Sequence, residues 1–120
     1  MTEVSAPDHI LILLKPDAVS RRLTGEILAR IEAKGYDIVA IKRLTATEEQ
    51  LAEHYAEHVD KPFYPGIVEY MTAGPIVAAV VEGHSVVESV RTLMGATDPT
   101  KAAPGTIRGD LGRDWGTSAI

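Results

Sequence analysis

Apolar positions run unbroken from Ile10 to Leu14, and the segment 9–14 stops at Lys15-Pro16-Asp17. This predicts a short strand and then a turn that leaves Lys15 at the strand's end, because proline cannot donate to a ladder and restricts the residue before it. The first eight residues are polar and are expected to be loose. Leu23, Ile27, Leu28 and Ile31 recur at helical spacing on a charged background, with Gly35 placed as the cap. Residues 36–44, rich in β-branched side chains, read as a second strand. Thr47-Glu48-Glu49-Gln50 is a capping box that starts a helix reaching about His58; Lys61-Pro62 breaks it, and residues 66–71 add a turn or two. Residues 75–82 are a third strand, apolar enough to be buried on both faces. Ser85-Val86-Val87-Glu88 has the form of a second capping box, and Val86, Val87, Val90, Leu93 and Met94 then share one helical face up to Gly95. Residues 96–107 show no periodicity and read as a long loop, a length that in a compact domain usually has a function. After Ile107 no β-branched or alternating segment predicts a closing strand.

The order strand, helix, strand, helices, strand, helix matches a split βαβ α+β sandwich that lacks its last edge strand. Composition adds limits. With 120 residues, 45% of them apolar, the chain can build one core and reads as a single domain over residues 1–120. A net charge of −5, spread along the chain, argues against nucleic-acid binding, yet leaves room for a small anion that needs only a few local cations. The longest apolar run, 76–81, is far short of the ~20 residues a membrane span requires, and the acidic start does not resemble a secretory signal, so a cytoplasmic location is expected. The absence of cysteine excludes disulfides, thiolate metal sites and cysteine nucleophiles.

The candidate chemistry lies at element ends. Phe63, flanked by Pro62 after a helix end, is placed to offer a flat face, and stacking a base on such a face is worth roughly 1 to 3 kcal/mol. Lys15 closes a strand, Arg91 flanks the apolar face of the last predicted helix, and Arg108 follows the long loop. Separately each is an ordinary surface charge; together they form a phosphate clamp, with each charge-assisted bond worth about 1.5 to 3 kcal/mol. Neither a G-x-x-x-x-G-K-[ST] loop nor a G-x-G-x-x-G fingerprint is present. His54 and His58 have the spacing of metal ligands on a helix, but there is no H-E-x-x-H and no third ligand is evident, so zinc is not expected.

Lys15-Pro16-Asp17, Leu23-Thr24-Gly25-Glu26-Ile27, His54-Tyr55, Lys61-Pro62-Phe63, residues 85–91, Gly95-Ala96-Thr97-Asp98-Pro99 and above all Pro104-Gly105-Thr106-Ile107-Arg108-Gly109-Asp110 resemble the nucleoside diphosphate kinase family. The resemblance runs from about His9 to Asp110. It implies a ferredoxin-like fold with an antiparallel sheet and helices on one face, assembly into hexamers or tetramers, and transfer of the γ-phosphate of ATP or another nucleoside triphosphate to a histidine and then to a nucleoside diphosphate, with Mg²⁺ on the phosphates. It further implies that Phe63, with Ile67 beneath it, stacks on the base, that Lys15 contacts sugar and phosphates, that Arg91, Thr97 and Arg108 hold the phosphates, and that Tyr55 stands near the reacting group. One departure is plain: no histidine follows His84, so the phosphorylated histidine is expected beyond Ile120, and residues 1–120 alone are expected to bind nucleotide without turnover. A non-catalytic nucleotide-binding or assembly protein of the same fold is the alternative.

Overall fold

The computed structural model describes residues 8–112. Residues 1–7 of the start expected to be loose, and residues 113–120 of the tail in which no closing strand is expected, lie outside the described residues.

The first strand, β1 (Asp8–Leu14), pairs antiparallel with β3 (Ile76–Gly83), which pairs antiparallel on its other side with β2 (Asp37–Leu44). Asp8, expected to be loose, is already in the ladder opposite Gly83. The central position of β3 explains its apolar composition, because both of its edges are hydrogen-bonded and its side chains meet neighbours on either side. Alternation along β1 and β3 sends Ile12, Leu14, Val77, Ala79 and Val81 into one buried cluster. Helices α1 (Pro16–Ser20), α2 (Thr24–Ala33), α5 (Val86–Met94) and α6 (Ile107–Leu111) cover that cluster with Ala18, Ile27, Ile31, Val86, Val90 and Ile107. Each such side chain contributes about 1.5 to 3 kcal/mol by leaving water. A second, smaller cluster joins Ile76 to Leu51 of α3 (Glu48–His54) and Met71 of α4 (Tyr64–Met71), with Leu13 and Leu44 packed against it. Leu13 and Ile76 alternate with Leu14 and Val77, so the α3–α4 hairpin seals one end of the sheet's other face.

Several local readings need correction. Lys15-Pro16-Asp17 is not a plain turn: Lys15 is the N-cap of α1, with Pro16 in its first turn, where a missing N–H is harmless. The same logic starts α4 at Tyr64, just before Pro65, rather than at Gly66. Thr47 and Gln50 form both bonds of a capping box, at 3.1 and 2.9 Å. Ser85 does not, because the tight turn out of β3 holds it at φ +54 and its hydroxyl caps nothing. The helix read through His58 ends at His54 and continues as a 3₁₀ turn, Ala56–His58. The long loop ends where expected to within a residue, and the chain then forms the five-residue helix α6, which no periodicity predicted. No helix among the described residues is long and apolar enough to cross a membrane.

Candidate functional site

Lys15 reaches the site because β1 ends there and Pro16 turns the chain at once into α1. Its side chain is half-buried. Burial, and after it the nearby positive charge of Arg108, holds the Lys15 ammonium below the ordinary lysine range. These two cations come from positions 93 residues apart in sequence (108 minus 15), so the fold and not the local chain brings them together. Burial lowers the pKa of Arg108 as well, though a guanidinium remains charged at any physiological pH.

Arg108 is fixed by what surrounds it. Its Nη1 donates to the Gly95 carbonyl at 2.9 Å, and Gly95, at φ +87, ends α5 by donating its amide to the Arg91 carbonyl at 3.1 Å. Arg91, on the last turn of α5, and Thr97, two residues past Gly95, are therefore on the same end of the molecule, both with exposed side chains. Helix α6 is capped by Thr106, whose Oγ1 accepts from the Gly109 amide at 3.0 Å and donates to the Ala103 carbonyl at 2.6 Å. Two further arginines tie α6 down from the first half of the chain. Arg21 Nη1 donates to the Leu111 carbonyl at 2.7 Å, and Arg30 Nη1 donates to Asp110 Oδ2 at 2.7 Å.

Asp110 closes the loop with its second oxygen, which accepts the Gly105 amide at 2.9 Å. That bond first, and Arg30 after it, holds the carboxyl below its ordinary value of 3.8. A depressed acid contributes its stabilisation above the unfolded pKa and loses it as pH falls through the folded value. The Gly105 amide resonance should therefore titrate with Asp110 on the acid side of 3.8, and in Asp110→Asn it should lie elsewhere and no longer move. A Gly105 resonance indifferent to both changes would refute the tie. Asp110 and Arg30 are the positioning residues that sequence reading missed. Their separation of 80 residues leaves no periodic trace, and only the Arg30–Glu26 pair, four apart and 3.0 Å long, is visible locally.

The aromatic side of the site is the α3–α4 hairpin. Phe63 is the N-cap of α4, and its ring is 54% exposed, unusual for a phenylalanine and suited to receiving a flat partner. The His58 ring lies 5.8 Å from it at a tilt of 52°. Ile67, one turn into α4, is partly buried and packs on the second core cluster. Tyr55, the C-cap of α3, is half-buried; burial first, then Tyr64, pushes its hydroxyl pKa up. It borders a cavity of about 430 Å³ with His54 and His58. The helix break after His54 removes the shared face that would make these two histidines a ligand pair, and no cluster of three or more His, Cys, Asp or Glu among the described residues could hold a metal ion.

A ferredoxin-like α+β sandwich with a half-buried pair of cations at the end of its first strand and an exposed aromatic ring on its helical hairpin defines the class. The nucleoside diphosphate kinase family model matches residues 8–120. The chain is 50% identical over 113 residues to the nucleoside diphosphate kinase of Archaeoglobus fulgidus, covering 94% of this chain and 75% of that one. It is 59% identical over 103 residues to the enzyme of Streptomyces coelicolor, covering 85% and 75%. Among solved structures, a halophilic nucleoside diphosphate kinase from Halobacterium salinarum in complex with CDP superposes with a TM-score of 0.90 at 49% identity, over 93% of this chain and 74% of that one. The chain belongs to the nucleoside diphosphate kinase family, whose members are phosphotransferases.

Proposed function

We propose that residues 1–120 form one domain that holds a nucleoside triphosphate or diphosphate for phosphoryl transfer, the base stacked on Phe63 with Ile67 beneath it. Lys15 meets the sugar and phosphates, Arg91, Thr97 and Arg108 hold the phosphates, and Tyr55 stands near the reacting group. The observation that carries this reading is the Lys15–Arg108 pair. Two like charges held close in a half-buried setting suit a polyanion, which both can meet at once. The CDP complex of the Halobacterium salinarum relative supports a nucleotide as that anion. Family membership assigns the chemistry: the γ-phosphoryl of ATP passes to an imidazole nitrogen as ADP leaves, and a second nucleoside diphosphate then takes it from the imidazole. No histidine follows His84 in residues 1–120, and none of the site residues proposed here is the phosphorylated imidazole. Mg²⁺ would be held by the phosphates rather than by a carboxylate or histidine cluster of the described residues, and would supply charge neutralisation beside Lys15, Arg91 and Arg108. We further read the chain as a homo-oligomer, hexamer or tetramer, a reading supported by Val39 and Ile41, which are 50% and 56% exposed on the outer strand β2.

The test is titration calorimetry with Mg·ADP. Phe63→Ala should weaken binding by about 5- to 150-fold, the equivalent of roughly 1 to 3 kcal/mol of stacking, and should leave the melting temperature near that of the parent because the ring is exposed. Unchanged affinity in Phe63→Ala would remove the base from this face.

A further inference from the structure

A cavity of about 740 Å³ opens where the start of α1 and the end of β2 meet the start of β3, and both Arg22 and Arg43 line it. None of Lys15, Phe63, Arg91 or Arg108 does, so it is separate from the nucleotide site proposed above and does not rest on that reading. Its charge balance is one-sided. The one carboxylate in its wall among the described residues, Asp17, already accepts from Arg21 Nη1 at 3.0 Å. The Tyr70 hydroxyl, also in the wall, is hydrogen-bonded to the Asp17 backbone. Arg22 and Arg43 make no ion pair with any described residue, so two basic residues line one opening without an ion-pair partner among the described residues.

The backbone at Arg22 adds to this. Of the adjacent pair, Arg21 is committed to Asp17 and to the Leu111 carbonyl. Arg22 sits at φ +61, a left-handed position that glycine or asparagine would occupy with less strain. A long cation stands where a small residue is favoured, and it borders the cavity.

Two guanidinium forks match the tetrahedral oxygens of a phosphate better than any neutral group could. A bare phosphate, however, would fill only a small part of this volume, which lies in the range of small-molecule sites. The remainder is walled by Val19, Pro75 and the Tyr70 ring. We propose that this cavity binds a small phosphorylated organic molecule, its phosphate on Arg22 and Arg43 and its organic part against Val19, Tyr70 and Pro75.

The experiment follows the arginine Nε–H resonances of the isotopically labelled chain during titration with phenyl phosphate, with inorganic phosphate and with sodium chloride at matched ionic strength. Phenyl phosphate should move Arg22 and Arg43 together and saturably, with half-saturation at least about tenfold below that of inorganic phosphate, because only the ester buries an apolar ring. The double variant Arg22→Gln/Arg43→Gln, whose two side chains are exposed and whose amide spectrum reports that it is folded, should lose the response. Phe63→Ala should keep it, which separates this cavity from the stacking face. Shifts matched by sodium chloride, or no saturable shift with either phosphate, would overturn the site. Inorganic phosphate binding as tightly as phenyl phosphate would overturn the organic part of the assignment.

Discussion

Gly109→Ala is expected to lower stability by about 1 to 3 kcal/mol and to weaken Mg·ADP binding by at least about tenfold. A Cβ at this position would overlap the Ala103 carbonyl oxygen and come within 2.8 Å of Thr106 Oγ1. Neither atom is free to retreat. The Ala103 carbonyl accepts from both the amide and the hydroxyl of Thr106, and that hydroxyl in turn caps α6 through the Gly109 amide. Relief therefore requires the loop and α6 to move together, and Arg108 is on the first turn of α6. Gly66→Ala is the control: it sits inside α4 with nothing within 4 Å of a new Cβ, and it should be neutral or stabilising by about 0.5 to 1 kcal/mol. Urea unfolding and calorimetry read the two effects separately. If Gly109→Ala loses stability yet binds Mg·ADP as the parent does, the loop is structural and Arg108 is not a phosphate ligand.

Arg108→Ala is expected to weaken Mg·ADP binding by about 10- to 150-fold, the loss of one charge-assisted bond of roughly 1.5 to 3 kcal/mol. Arg108→Lys should recover only part of this, since an ammonium cannot hold the Gly95 carbonyl and a phosphate oxygen in one planar fork. The same variant has a second readout at Lys15. Burial is the larger cause of the lowered Lys15 pKa and Arg108 the smaller, so Arg108→Ala should move the Lys15 titration part of the way back towards 10.5. A lysine whose folded pKa lies below its unfolded value costs stability while it is charged, and that cost fades as pH rises through the folded pKa. Bound phosphate acts in the opposite sense, favouring the charged form, so affinity for Mg·ADP should fall as pH rises through the Lys15 pKa of the free protein. An affinity that is flat across that alkaline range, with an unmoved Lys15 titration in Arg108→Ala, would dissolve the pair.

What could be read along the chain depended on how local its cause was. The capping box at Thr47 and Gln50 needs only four residues and forms as its sequence predicts. The same pattern at Ser85 fails because the backbone leaving Gly83 and His84 fixes φ at Ser85 before its side chain can act. Proline misled at Pro16, because as a breaker it ends structure but in a first turn it opens a helix; Pro65, which the reading did not use, opens α4 in the same way. Lys15, Phe63 and Arg108 were legible as candidates because each sits at an element end marked by a proline, a glycine or the long loop. Their grouping as a clamp rested on element ends and on the family resemblance; what was not legible is how the fold holds Arg108 there, since that depends on α6 being tied to α1 and α2 across 80 to 90 residues. The 740 Å³ cavity left no trace in sequence, because Arg22 and Arg43 come from different parts of the chain and line one cavity only when β1 and β2 have both paired with β3.

The two arginine ties on α6 have a bearing on the order of assembly. Arg21 and Arg30 emerge early in synthesis, 90 and 80 residues before the groups they hold in α6, and in the interval each guanidinium has only its local partner, Asp17 or Glu26. Closing contacts of such long range comes late, after the shorter ladder pairings have already paid the chain-closure entropy. Helix α6, only five residues long, is too short to persist by itself in water. The basic cluster is thus expected to mature after the three described strands have paired, and a ribosome-bound chain that displays only those strands still has no place for phosphate.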